Sequence, residues 1–363
     1  MIRTLKNSEI AVLRLRSLYE SRGYMQFKMS RFEEYDLYAA NKDFLAGEGI
    51  ITFTDPSGRL MALKPDVTMS IIRSCKDGDG LTEKLYYSEN VYRVMGGTHQ
   101  LKEIMQSGLE CIGEINLYST CEVISLAAKS LELFERPYVL DISHMGIVSG
   151  LVDECAPDES VKRELLRRIG AKNIHEIRGL IGDKADRLIA LMNINPEPDK
   201  GLAELEKLCN TPSLKAAYKE LKDIIAVISG AGFQPEIHLD FSVVQDLSYY
   251  NGIVFQGFIE GIPEKILTGG RYDPLLKRIG KSKQAIGFGI DVDLLERIMD
   301  SRSEFDADIA LIYKPQDDVG EVMRYAEKLS HDGKRVAVST KISSKAKYRT
   351  IIAFSGSEAG NEG

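Results

Sequence analysis

Two long alternating runs, residues 85–94 and 104–113, lie on either side of a Gly96-Gly97 turn. They read as two strands joined by that loop. Because strand side chains alternate faces, Ile104, Gln106, Gly108, Glu110 and Ile112 must share one face of the second strand. Glu89, Val91 and Arg93 form one face of the first, with Arg93 entering the loop. A glycine between two polar residues leaves a recess in which a ligand can reach the backbone. The same pattern also suits a polar sheet surface facing solvent. This pair of strands does not decide between the two.

The construction recurs downstream. In YYNGIVFQG (249–257), Tyr250, Gly252, Val254 and Gln256 share a face. LTGGRYDPLL (267–276) sets two glycines before Arg271 and Asp273, which geometry alone reads as a strand-to-helix turn with a local ion pair. AIGFGIDVD (285–293) is a small-residue strand that lets neighbouring backbones approach. Around these stretches, residues 8–22 form an amphipathic helix stopped by Gly23. Residues 50–73 form a hairpin turned at Asp55-Pro56-Ser57-Gly58 and run into a helix near Met69–Arg73. Ser119 with Glu122 gives a capping-box pattern for the helix that follows. Residues 137–144 read as a strand. From about 152 to 232 the chain is charged and helix-like. Strands return at 236–268, and a helix near 291–300 precedes a β-α-β pattern from DADIALIYKP to KRVAVST. KYRTIIAF adds a strand, and the tail GSEAGNEG carries no signal for ordered structure.

The 363 residues suffice for two or three domains with cores of their own. No apolar run approaches the ~18 residues needed to span a bilayer, and MIRTLKNSEI lacks the apolar region of a secretory signal. The five cysteines are scattered with no C-x-x-C pair, which fits a reducing cytosol and a role as small buried apolar residues. A formal charge of −7 disfavours a nucleic-acid partner, because phosphate contacts are made with Lys and Arg. Gly280-Lys281-Ser282 is not the end of a P-loop, since Leu275 stands where the first glycine belongs. The isolated histidines give no metal-ligand spacing, and no cofactor is implied.

In order, ALKPDVT (62–68), YYSENVYR (86–93), EIMQSGLECIG (103–113), DLSYYNGIVF (246–255), LTGGRYD (267–273) and AIGFG (285–289) resemble the core of the class II histidyl-tRNA synthetases. The resemblance covers most of residues 1–300. It implies an α+β fold of the class II aminoacyl-tRNA synthetase type, an antiparallel sheet flanked by helices. It further implies a core split into 1–151 and 233–302 by a helical insertion at 152–232, with a truncated anticodon-binding-like α/β unit at 303–363. Carried over residue by residue, it places a histidine pocket at Asp66, Thr68, Arg93, Gln106, Glu110, Tyr249 and Tyr250. Asp66 would meet the ligand amine, with Thr68 beside it. Gln106 and Glu110 would read amine and imidazole, and Tyr250 would hold the ring. Arg93 would serve the carboxylate or a phosphate. Carboxylates and an amide suit a cationic amine, and an arginine suits a carboxylate.

The nucleotide side departs from that family. Met95 stands where an acidic residue is expected, Gln100 and Gln245 where arginines are expected, and Asp293-Leu294 where a Glu-Arg pair should end the last motif. Arg297 lies almost one helical turn too late. Each fixed cation at a reacting phosphate is worth ~10²–10³ in rate, so the loss of three removes useful adenylation. A synthetase-like chain of this form resembles the regulatory subunits of ATP phosphoribosyltransferase. That resemblance implies a cytoplasmic subunit without catalysis of its own. Its partner would be a short-form catalytic subunit, its ligand histidine, and its pathway histidine biosynthesis. It would act on neither nucleic acid nor membrane. A dimer is also implied, although Ser30 replaces the proline of the family's dimer-forming motif. The alternative is a divergent histidyl-tRNA synthetase.

Overall fold

The computed structural model describes residues 6–39, 49–75, 82–94, 100–232, 235–244, 249–298, 305–331 and 333–355. Met95, the Gly96-Gly97 turn, Gln245, the Ser301-Arg302-Ser303 stretch, the final tail and the side chain of Arg297 lie outside them. The chain divides into two compact units, Met1–Met299 and Asp300–Gly363.

The first unit opens with helix α1 (Asn7–Glu20), closed by Gly23 at φ +78°, a left-handed conformation that glycine adopts without strain. Strands β1 (Met25–Gln26) and β2 (Phe32–Glu34) lead to the short helix α2 (Asp36–Ala39). Strands β3 (Thr52–Thr54) and β4 (Leu60–Leu63) form the expected hairpin. Its turn is fixed by Asp55 Oδ1, which accepts from the N–H groups of Ser57 (2.8 Å) and Arg59 (2.9 Å). With β2 they make a small antiparallel sheet of three strands. Helix α3 (Thr68–Ser74) follows.

Next come the two long strands, β5 (Glu83–Val94) and β6 (Leu101–Gly113), paired antiparallel with Tyr87 opposite Gly108 and Glu89 opposite Gln106. Helix α4 (Leu117–Glu132) starts one turn earlier than the Ser119/Glu122 pattern implied. Asn116 is its cap: Asn116 Oδ1 accepts from Ser119 N–H at 3.0 Å, and Ser119 Oγ accepts from Asn116 N–H at 2.9 Å. Glu122 is taken instead by Lys84 Nζ at 2.6 Å. Strand β7 (Tyr138–His144) and helix α5 (Met145–Cys155) precede a run of helices, α6 (Glu159–Gly170), α7 (Ile174–Ile181), α8 (Asp186–Met192), α9 (Pro198–Leu208) and α10 (Pro212–Gly230).

The strand expected over EIHLDFSVV shrinks to β8 (Ile237–Leu239). Asp240 ends it, because its Oδ1 accepts from both the N–H (2.8 Å) and the hydroxyl (2.6 Å) of Ser242 and so closes a turn. Strands β9 (Ile253–Ile259) and β10 (Leu267–Arg271), helix α11 (Asp273–Arg278) and strand β11 (Gln284–Asp291) complete the core. The helix expected near 291–300 is a single 3₁₀ stretch, Asp293–Arg297.

The main sheet has eight strands in the order β1-β5-β6-β11-β10-β9-β7-β8. Every inner pair is antiparallel, and only the edge pairs β1-β5 and β7-β8 run parallel. One face carries Tyr86, Leu109, Cys111, Phe255, Ile286 and Phe288 into the core with α1, α4, α5 and α10. Burying each such large side chain stabilises the fold by about 1.5–3 kcal/mol. The opposite face holds Tyr87, Gln106 and Glu110 toward α3 and α11. All five cysteines are free and buried.

The second unit is a parallel sheet of three strands in the order β13-β12-β14. Strand β12 (Ala307–Ile312), helix α12 (Val319–Ser330) and strand β13 (Val336–Ser339) form the expected β-α-β element, and β14 (Tyr348–Ala353) is the added strand. No helix among the described residues is long and apolar enough to cross a membrane.

Candidate ligand-binding site

The ladder fixes who meets whom on the open face of the main sheet. Glu110 lies opposite Gly287, Gly108 opposite Gly289, and Gln106 opposite Asp291. On the other side of β6, Tyr87 lies opposite Gly108. Apart from Gly108, these residues floor a cavity of about 360 Å³, and Thr68 of α3, Thr268 of β10 and the Tyr249–Tyr250 segment wall it. Asp66, Thr68, Arg93, Gln106, Glu110, Tyr249 and Tyr250, far apart in sequence, all line this one cavity.

Glu110 is the centre of the arrangement and only 2% exposed. Its Oε1 accepts from Thr68 Oγ1 at 2.8 Å, and its Oε2 accepts from Tyr272 Oη at 2.5 Å. Burial pushes its carboxyl from 4.5 up to about 8, although both hydroxyls pull the other way. The carboxylate fits only because β11 offers a glycine opposite it: a Cβ on Gly287 would sit 1.8 Å from Glu110 Oε2. Asp66 precedes α3, and its Oδ1 accepts from Met69 N–H at 2.9 Å. Burial raises its carboxyl too, against the Met69 N–H and the Arg93 guanidinium. Arg93 donates from Nε to Pro65 O at 2.9 Å, so the loop before α3 and the end of β5 hold one another.

The recess expected over Gly108 is not open to a ligand. Tyr87 fills it, since a Cβ there would meet Tyr87 Oη at 2.6 Å and Phe288 O at 2.2 Å. The glycine makes room for a neighbouring ring, and the open space lies beside Glu110 and Gln106. Nor is Glu89 part of the cavity wall: its Oε2 accepts from the fully buried Lys64 Nζ at 2.8 Å.

Sequence reasoning passed over Tyr87, Lys265, Thr268, Tyr272 and Asp291, which also line the cavity. Tyr272 was hidden inside a stretch read as a turn with an ion pair. That pair exists, with Arg271 Nε 2.9 Å from Asp273 Oδ2. The Tyr249 ring lies tilted beside those of Tyr250 (centroids 4.1 Å) and Tyr272 (5.5 Å), so three aromatic rings form one wall. At the β11 end stand Asp291, whose carboxyl is raised by burial and then by Asp293, and Asp293, whose Oδ2 accepts from Met105 N–H at 2.9 Å. Gln100 is exposed. Buried carboxylates, an amide, an arginine and an aromatic wall suit a small ligand that carries a cationic amine, ring N–H groups and a carboxylate.

Comparison with known proteins gives a consistent picture. The sequence model of the histidyl-tRNA synthetase family matches residues 3–295. The ATP phosphoribosyltransferase regulatory subunit of Clostridium kluyveri is 29% identical over 337 residues, which is 88% of this chain and 85% of that protein. The regulatory subunit of Clostridium acetobutylicum is 29% identical over 356 residues, covering 93% of this chain and 86% of that one. Among solved structures, a regulatory subunit/histidyl-tRNA synthetase from Bacillus halodurans superposes with a TM-score of 0.76 at 24% identity, covering 95% of this chain and 93% of that one. A chain of the ATP phosphoribosyltransferase complex of Thermotoga maritima gives 0.62 at 19% identity, covering 79% of this chain and 97% of that one. The fold is therefore that of the class II synthetases, and the chain belongs to the histidyl-tRNA synthetase family.

Proposed function

We propose that this chain is the regulatory subunit of an ATP phosphoribosyltransferase. It performs no chemistry itself. It partners a short-form catalytic subunit, activates it, and passes on feedback inhibition by histidine at the first step of histidine biosynthesis. Relatives matched over about nine-tenths of the chain carry that name.

The observation that carries the reading is the division of charge in the cavity. Asp66 and Glu110 suit an amine and an imidazole N–H, and the guanidinium of Arg93 in the same lining suits a carboxylate. That set suits histidine. Toward the end of β11, where adenylation needs several cations around a phosphate, the described lining offers Lys265 and the acidic Asp291, and Asp293 lies just beyond it, accepting from Met105 N–H. A single lysine beside a carboxylate does not replace the three cations that the sequence lacks. Feedback then requires histidine to bind the inhibited and active assemblies with different affinity. A dimer of this chain and a cytoplasmic location belong to the same reading.

The test mixes the purified chain with a short-form catalytic subunit and follows phosphoribosyl transfer to ATP with and without histidine. Activation of the partner, with inhibition by histidine only when this chain is present, is the expected result. Histidine-dependent exchange of pyrophosphate into ATP by the chain alone would make it a synthetase instead.

A further inference from the structure

The open face of the main sheet continues past the histidine cavity toward its other edge. There Val139 and Asp141 of β7, Phe258 of β9 and His238 of β8 share that face. A second cavity of about 490 Å³ lies over them, roofed by Leu191, Met192, Ile194 and Pro196 at the end of α8. Its volume is that of a small-molecule site, and its walls are mainly apolar.

The charges in it are unbalanced. Lys172 Nζ is 2.8 Å from Asp240 Oδ2, and Asp240 Oδ1 also accepts from Ser242, so that carboxylate is fully engaged. Asp141 is not. Its side chain is 16% exposed, and its nearest described partner, His238 Nδ1, is 3.9 Å away, beyond hydrogen-bond reach. His238 Nε2 turns instead to Glu236 Oε1 at 3.5 Å. Burial and then the neighbouring Asp240 raise the Asp141 carboxyl to about 6, against the pull of His238 and Lys172. A carboxylate that accepts no hydrogen bond from the described residues and faces a mainly apolar cavity suits a cationic partner.

We infer that this cavity is a second ligand site, which takes a small organic cation: an ammonium against Asp141, with an apolar body against Leu191, Met192, Ile194 and Phe258. The site is separate from the histidine cavity and does not depend on the function assigned to it. A ligand here joins the β7-β8 edge of the sheet to α8.

Phenethylammonium is a probe of this chemistry, and 3-phenylpropionate is its control of opposite charge. Both are titrated into the full chain by calorimetry and followed by saturation-transfer NMR. Saturable binding of phenethylammonium is expected, with no binding of phenylpropionate. Asp141→Asn should weaken the binding about tenfold or more, since it removes a charge-assisted contact. Met192→Trp, which fills the cavity without touching the carboxylate, should abolish it, and Glu110→Gln should leave it unchanged. Circular dichroism confirms that each variant is folded. If phenethylammonium fails to bind, binds Asp141→Asn or Met192→Trp as it binds the wild type, or is lost in Glu110→Gln, the site is not the one inferred.

Discussion

The Tyr272 hydroxyl donates to Glu110 Oε2 at 2.5 Å, joining the residue just after β10 to the C-terminal half of β6 inside the cavity proposed for histidine. Thr68 holds the other carboxylate oxygen at 2.8 Å. Glu110 is therefore locked in place before a ligand arrives, and a preorganised acceptor loses little entropy on binding.

Glu110→Ala should weaken histidine binding by about 10–100-fold, the usual worth of a charge-assisted hydrogen bond. Glu110→Gln keeps the size and one acceptor and should fall between the two. Calorimetry reads both. Unchanged affinity in Glu110→Ala would place the ligand elsewhere.

Binding should release a proton. Burial holds the Glu110 carboxyl at about 8 in the free cavity, so at pH 7 it is largely protonated. An approaching cationic amine favours the carboxylate and lowers that value. Calorimetry at pH 7 in buffers of different ionisation enthalpy should show net proton release, and Glu110→Gln should abolish it. Equal heats in all buffers would contradict the assignment.

The same group shapes stability against pH. Its folded value, about 8, lies above the ordinary 4.5, so the folded state holds the proton more tightly. The stabilisation is complete below about 4.5 and is lost as pH rises toward 8. The upper limit of the effect is on the order of 5 kcal/mol. Asp66 is raised as well and adds to the loss in the same direction. The wild type should lose more melting temperature between pH 5.5 and 8.5 than Glu110→Gln does. Parallel curves would mean that Glu110 is ionised throughout.

How much of this could be read beforehand depended on the range of each signal. The β5-β6 ladder was legible because alternation is local, and the residues around Glu110 followed from motifs matched in order. Asn116 was missed as the α4 cap because Ser119 carried the more familiar pattern. The parallel edge pairs β1-β5 and β7-β8 depend on partners far along the chain, which no local period specifies. Tyr87 over Gly108 shows the same limit. A glycine in a strand announces a close approach, but the sequence does not say whether a ligand or a ring makes it.

His144 should prove structural. It caps α5, with Nδ1 accepting from Gly146 N–H at 3.1 Å. The ring proton is thereby assigned to Nε2, which lies 3.2 Å from Glu220 Oε2 on α10. His144→Ala should cost about 1–2 kcal/mol in urea denaturation, the usual worth of a helix cap. His144→Asn, which keeps a capping acceptor, should recover most of it. Histidine affinity should not change in either.

The sharpest test of the cavity's construction is glycine against alanine on β11. At Gly287 a Cβ would lie 1.8 Å from Glu110 Oε2 and 2.5 Å from Leu109 O, which is backbone and cannot step aside. At Gly289 the nearest atom is Tyr87 Oη at 3.0 Å, the far end of a side chain. Neither residue needs a positive φ, so only space separates them. Gly287→Ala must push Glu110 out of its bonds to Tyr272 and Thr68, at a cost of about 1–3 kcal/mol from overpacking. It should lose histidine binding with the carboxylate still present. Gly289→Ala should cost less than about 1 kcal/mol and bind histidine within a few-fold of the wild type, because a small rotation of Tyr87 relieves the contact. Thermal melts and calorimetry on the pair decide the matter. Equal affinities in the two variants would mean that the place of Glu110 beside Gly287 does not govern the ligand.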